Sequence, residues 1–191
     1  MIKKEGFFMV VERSPHHLKP FFRSYTLRTF KSLNLGDELI IDYISDMLAG
    51  FARMENLYKI KNIQKERMET VTEMLLYLIE NDEVRNRREF ERRIKKHIGD
   101  YTLFMTGIFR EYVERRSLLD FYKSSGKSSY MDVYEIDRMT FRDRSLIFKE
   151  LSEGFEKYSE AIHYMKKTYF YMERVPSGYE AILREIFEDP S

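Results

Sequence analysis

Residues 98–109 read IGDYTLFMTGIF. Two glycines bracket a run of apolar and aromatic side chains in a chain otherwise dense in charge. Four readings compete: a phosphate loop, a strand, a membrane segment, and the buried middle of a helical bundle. The flanking residues decide between them. Phe90, Ile94, Ile98, Tyr101, Met105, Ile108 and Tyr112 step by four, four, three, four, three and four. That spacing is one stripe of an α-helix, and it runs through Gly99 and Gly107 without a change of phase. A strand would alternate, and this run does not. A membrane helix needs about 20 consecutive apolar residues, whereas this run is short and carries Asp100. Each glycine costs about 1 kcal/mol relative to alanine inside a helix. The spacing therefore predicts that Gly99 and Gly107 allow a bend or let a neighbouring helix approach closely.

Composition supports a bundle around this stripe. Of 191 residues, 43% are apolar, 34% charged and 15% aromatic, which is enough to form a sizeable core. Four prolines and eight glycines leave room for long helices. Fourteen Tyr, fifteen Phe and eleven Met predict a bulky, adaptable interior. The net charge of +1 provides no global attraction to nucleic acid or to an anionic membrane. With no cysteine there is no disulfide, thiol nucleophile or Cys-based zinc site, which fits a reducing cytoplasm. The N-terminal run Phe7–Val11 is cut short by Glu12 and Arg13, too short for a secretory core.

Working outward, SPHHLKP reads as a turn entering a helix with Phe21, Phe22, Tyr25, Leu27 and Phe30. In NLGD, residues 34–37, Gly36 suits a C-cap and Asp37 an N-cap. A helix over about 38–58 carries Ile40, Ile44, Met47, Leu48, Phe51 and Leu57 at spacings of three and four. Another spans about 64–80. The stretch from Ser117 to Met139 reads as one or two short helices broken near Gly126. A long helix is expected over 143–173, and a short one over 179–188 beyond VPSG. The expected fold is all-α: one domain, 1–191, of six to eight helices around a central helix near 84–114. Residues 1–14 are expected to form a flexible or peripheral segment, and Phe7–Val11 is the one stretch where a strand is plausible.

Several motifs suggest chemistry. GKSS at 126–129 resembles a phosphate loop, but that loop needs a glycine where Phe121 stands and a preceding strand; a polar interhelical turn is the better reading. Glu160 and His163 form the Glu-x-x-His pair of di-iron bundles, which requires a second such pair and two more inward glutamates. No second pair exists in the chain. On a wheel of about 100° per residue, Glu156, Glu160 and His163 lie away from Leu151, Phe155, Tyr158, Ile162, Met165 and Tyr169. They read as a solvated face, which a symmetric dimer alone would bury. His16 and His17 are adjacent and diverge on a helix, so they read as turn or capping residues.

RNRREFERRIKK, 85–96, places seven basic residues against two glutamates. Arg85, Arg88, Arg92 and Lys96 line one stripe, opposite Phe90 and Ile94. This is a candidate contact for an anion or a protein partner, and the residue set for a nucleic-acid alternative, although no base-reading module accompanies it. Glu89 and Glu91 stand at ordinary surface-pair spacings within the run. In the YFYMERV region, Tyr158 and Tyr169 read as core, while Tyr164 faces outward. No catalytic constellation and no cofactor motif is evident.

LIIDYISDMLAGFARMENLY, IGDYTLFMTGIF and SSYMDVYEI together resemble uncharacterised bacterial all-helical proteins over about half of the chain. The resemblance implies helices and no activity, cofactor or site residue. The leading expectation is a cytoplasmic, non-enzymatic helical protein acting through protein contacts as a homodimer. The alternatives are a small-molecule- or metal-binding bundle with an internal pocket, and a nucleic-acid binder.

Overall fold

A computed structural model describes residues 18–35, 37–52, 70–81 and 86–170. Among them lie eight helices: α1 (Leu18–Ser32), α2 (Glu38–Phe51), α3 (Val71–Glu80), α4 (Arg87–Ile108), α5 (Arg110–Arg115), α6 (Leu119–Met139), α7 (Ser145–Glu153) and α8 (Phe155–Tyr169). The described residues contain no strand. None of these helices is long and apolar enough to cross a membrane. Arg85, His16, His17, Gly36, the Phe7–Val11 run and the expected helix at 179–188 lie outside the described residues.

The helix ends follow local chemistry. Pro20 sits in the first turn of α1, where its missing N–H loses no intrahelical bond. At the other end, Asn34 takes a left-handed φ of 57° and Leu35 N donates to Phe30 O at 2.8 Å. Asn34 therefore does the capping expected of Gly36. The Asp37 carboxylate accepts from Leu39 N and Ile40 N at 2.8 and 3.1 Å, opening α2 as expected. Thr70 and Glu73 form a reciprocal capping box on α3.

α4 is the central element, and every residue from Ile98 to Phe109 is buried. It packs most extensively against α6 and then α8, while α1 lies on α2 and α7 on α6. The expected close approaches at the glycines occur. A Cβ on Gly99 would stand 2.7 Å from the Tyr130 ring of α6, and one on Gly107 would stand 2.6 Å from Ile162 of α8. Both glycines are space for a neighbour's side chain.

Three boundaries differ from expectation. The central helix stops at Ile108 instead of running through 114. Phe109 (φ −108°, ψ 34°) breaks it, and the Lys166 ammonium of α8 donates to Ile108 O at 2.6 Å, capping the freed end. Thr102 and Thr106 also bond back to carbonyls one turn earlier, a pattern that bends helices. The stretch around Gly126 is one 21-residue helix, so GKSS is not a turn. Gly126 lies inside that helix, where the Phe155 ring and the Thr102 hydroxyl occupy the space a side chain would fill. The long helix expected over 143–173 is divided at Gly154, which caps both α7 and α8. Across that break the Tyr158 hydroxyl donates to Glu150 at 2.6 Å.

Gly126→Ala is expected to destabilise the fold by about 1–3 kcal/mol, because neither Phe155 nor Thr102 has room to retreat. Urea unfolding of the wild type and the variant measures this; an unchanged midpoint would show that α4, α6 and α8 are not in the contact described.

Candidate functional site

The Ile98–Phe109 stretch carries one carboxylate, Asp100, into its buried surroundings. A carboxylate there needs several donors, and three reach it from three directions. Tyr43 of α2 donates to Oδ1 at 2.5 Å, Tyr130 of α6 donates to Oδ1 at 2.9 Å, and Lys96, one turn earlier on α4, donates to Oδ2 at 2.6 Å. Burial, followed by the Asp100 charge, pushes both tyrosine hydroxyls well above their ordinary value. They stay protonated and act as donors. The Lys96 ammonium also sits 5.0 Å from the centre of the Tyr43 ring, over its face.

Asp100 forms the inner wall of a groove of about 460 Å³ between α2 and α4, within the size range of small-molecule sites. The 3.6-residue repeat explains its lining. Tyr43, Met47 and Gly50 lie along one stripe of α2, with Phe51 beside them; Lys96 and Asp100 lie along the facing stripe of α4, next to His97. Asp46 stands at the rim, paired to Lys19 of α1 at 2.7 Å, with both side chains half-exposed.

His97 is held among the rings of Phe51 and Tyr101. Burial lowers its pKa from 6.5, with Asp100 opposing and Lys96 reinforcing the shift, so the imidazole is neutral at pH 7. Four buried side-chain polar atoms lack a hydrogen-bond partner among the described residues. His97 Nε2 is the one whose residue lines the groove.

Gly50 differs from the other helix-interior glycines. No described atom lies within 4 Å of where its Cβ would stand. Gly99, Gly107 and Gly126 each accommodate a packed neighbour, whereas Gly50 faces the open groove.

The basic residues expected to contact an anion have different surroundings. Arg88 is exposed. Arg92 makes a bidentate pair with Asp137 of α6, which is 1% exposed, and lies over the Phe148 ring of α7. Arg142 reaches the same carboxylate at 3.6 Å and bonds to Glu89. Lys95 pairs with Asp132 at 2.7 Å, and Lys96 is held by Asp100. Much of this basic run therefore pins α4 to its neighbours.

Glu160 is exposed. His163 is half-buried, with Nε2 3.8 Å from Glu111 of α5, so it is not on a fully solvated face as the wheel implied. The bend between α4 and α5 brings Glu111 alongside it. Burial lowers its pKa, with Glu111 opposing. Among the described residues, no three His, Asp or Glu side chains are grouped to hold a metal ion.

Sequence reasoning singled out Lys96 in the basic stripe and noted Asp100 only as a polar interruption. The partners of Asp100 are 57 and 30 residues away in the chain, so nothing local marks it. The available signal was one carboxylate inside a stripe of large apolar residues.

No protein-family model matches the chain, and no curated protein or solved structure matches it.

Both described histidines have depressed pKa values, so the unfolded chain binds more protons than the native one below about pH 6.5. Their contribution to stability is complete above that pH and is lost as pH falls. His97→Gln should flatten the decline in urea midpoint between pH 7 and 5, and His97→Gln/His163→Gln should flatten it further. A decline identical to wild type in both variants would contradict the neutral, buried assignment.

Proposed function

We propose that the protein binds a small organic molecule, without catalysis, in the groove between α2 and α4. What supports this reading is the groove itself, about 460 Å³ with Lys96 and Asp100 facing Met47 and Phe51. A glycine within a helix costs about 0.5–1 kcal/mol relative to alanine, and at Gly50, which lines the groove, no described side chain uses the vacated space. What the glycine preserves is groove volume. Polar groups converge there, Asp46, Lys96 and Asp100, beside the apolar surfaces of Phe51 and Met47. This combination is the usual make-up of a ligand pocket. Among the described residues the groove has no nucleophile paired with a base, which favours binding over turnover. The cysteine-free composition supports a reducing compartment such as the cytoplasm.

Gly50→Ala is expected to raise stability by about 0.5–1 kcal/mol, read in urea. Gly50→Leu should fill the groove. Compounds that raise the melting temperature of wild type in a thermal-shift screen should lose their effect on Gly50→Leu. Hits that stabilise both proteins equally would place binding elsewhere and overturn the reading.

A second reading, self-association, is favoured by the turn between α6 and α7. Phe141 is 95% exposed and held at a left-handed φ of 52°, flanked by Met139 at 58% and Leu146 at 67% exposure. The turn is braced by Arg142 N, which donates to Asp137 O at 2.9 Å. Presenting an aromatic ring to solvent on a braced turn suits a protein contact. Light scattering should detect a homodimer that Phe141→Asp converts to a monomer. A wild-type monomer at every accessible concentration would remove this reading. The nucleic-acid reading receives less support, because Arg92 and Lys96 are already neutralised by internal carboxylates.

A further inference from the structure

We infer that the groove takes an organic cation, a protonated amine carried on an apolar body, and that Lys96 occupies the amine's place until one arrives. This inference rests on the ligand-pocket reading and specifies its ligand class. Among the described residues, the formal charges lining the groove are the carboxylates of Asp46 and Asp100 and the ammonium of Lys96. Lys96 is bonded to Asp100 and Asp46 to Lys19, so an anionic ligand would meet no uncommitted cation among these residues.

The Lys96 ammonium shows what the site favours. It has a charge-assisted bond to a buried carboxylate at 2.6 Å and an aromatic face 5.0 Å away. These are the two interactions by which proteins hold ammonium groups. Lys96 is tethered to the same helix as Asp100, one turn away, and its side chain is 36% exposed. Its flexible stem can swing the ammonium into water, where it is well solvated. A ligand ammonium would then bond to Asp100 Oδ2 and sit over Tyr43, with its apolar body against Met47 and Phe51. Gly50 allows that body to approach the α2 backbone.

Because Lys96 competes with the ligand, its removal should strengthen binding, the opposite of the usual effect of deleting a pocket residue. The test is calorimetric titration at pH 7 with three probes sharing one aromatic body: 2-phenylethylammonium, 2-phenylethanol and phenylacetate. Wild type is expected to bind the ammonium about tenfold tighter than the alcohol, and phenylacetate weakest. Lys96→Met should bind the ammonium about tenfold tighter still, while Gly50→Leu should bind none of the three. Circular dichroism confirms that each variant is folded; if Lys96→Met is not, Lys96→Gln replaces it.

Equal wild-type affinity for ammonium and alcohol, or weaker ammonium binding by the folded Lys96 variant, overturns the cation inference. If the alcohol or phenylacetate binds wild type best and Gly50→Leu loses it, the pocket reading stands and the cation inference falls. If no probe distinguishes wild type from Gly50→Leu, both fall.

Discussion

The structure depends on keeping water from the second half of α4. From Ile98 to Phe109 no residue is exposed, so every backbone amide and carbonyl in the stretch must be bonded within the protein. A helix meets that requirement internally whatever its neighbours are, which makes it the economical conformation for a fully enclosed segment. Enclosure then imposes its own demands. Thr102 and Thr106 turn their hydroxyls back onto α4 carbonyls, and Lys166 reaches across from α8 to the carbonyl left open where the helix stops. Helices must also come close enough to shut out solvent, and Gly99, Gly107 and Gly126 make room for Tyr130, Ile162 and Phe155.

Asp100 is the polar group that this enclosure makes costly, and its environment ties together three helices. An unpaired carboxylate in such a place would take up a proton or destabilise the fold. Two tyrosine hydroxyls and an ammonium prevent both outcomes. Asp137, the other deeply buried carboxylate among the described residues, is satisfied by arginines of α4 and of the turn after α6. The two acids differ in what lies beside them. Asp137 is closed off by its guanidinium partners and by Phe148 behind Arg92, whereas Asp100 borders an open groove next to a neutral imidazole. The first arrangement is a clamp, and the second can exchange one cation for another.

The helical class and the central stripe were legible because periodicity is a local property. Phe90, Ile94, Ile98, Tyr101, Met105 and Ile108 are buried as their spacing requires. Asp37 caps α2 for reasons contained in a few residues. The candidate site was not legible in this way. Tyr43, Gly50 and His97 carry no signal in their own neighbourhoods, and Asp100 acquires its meaning from residues on two other helices. The partners of the basic run were illegible for the same reason, since Lys95 and Arg92 pair with Asp132 and Asp137 on another helix.

By itself, then, the sequence determined the secondary-structure class, the buried stripe of α4 and the exclusion of thiol chemistry, because these follow from spacing and residue type. Tertiary structure decided the breaks at Phe109 and Gly154 and which glycines matter. Gly126 lies inside a helix, with a ring from α8 in its side-chain space, while Gly154, closer to an ordinary breaker, ends one. Gly50 has a similar helical setting, yet no described side chain fills its side-chain space and it lines the groove. That difference arises between helices, where packing distances are set by residues far apart in the chain.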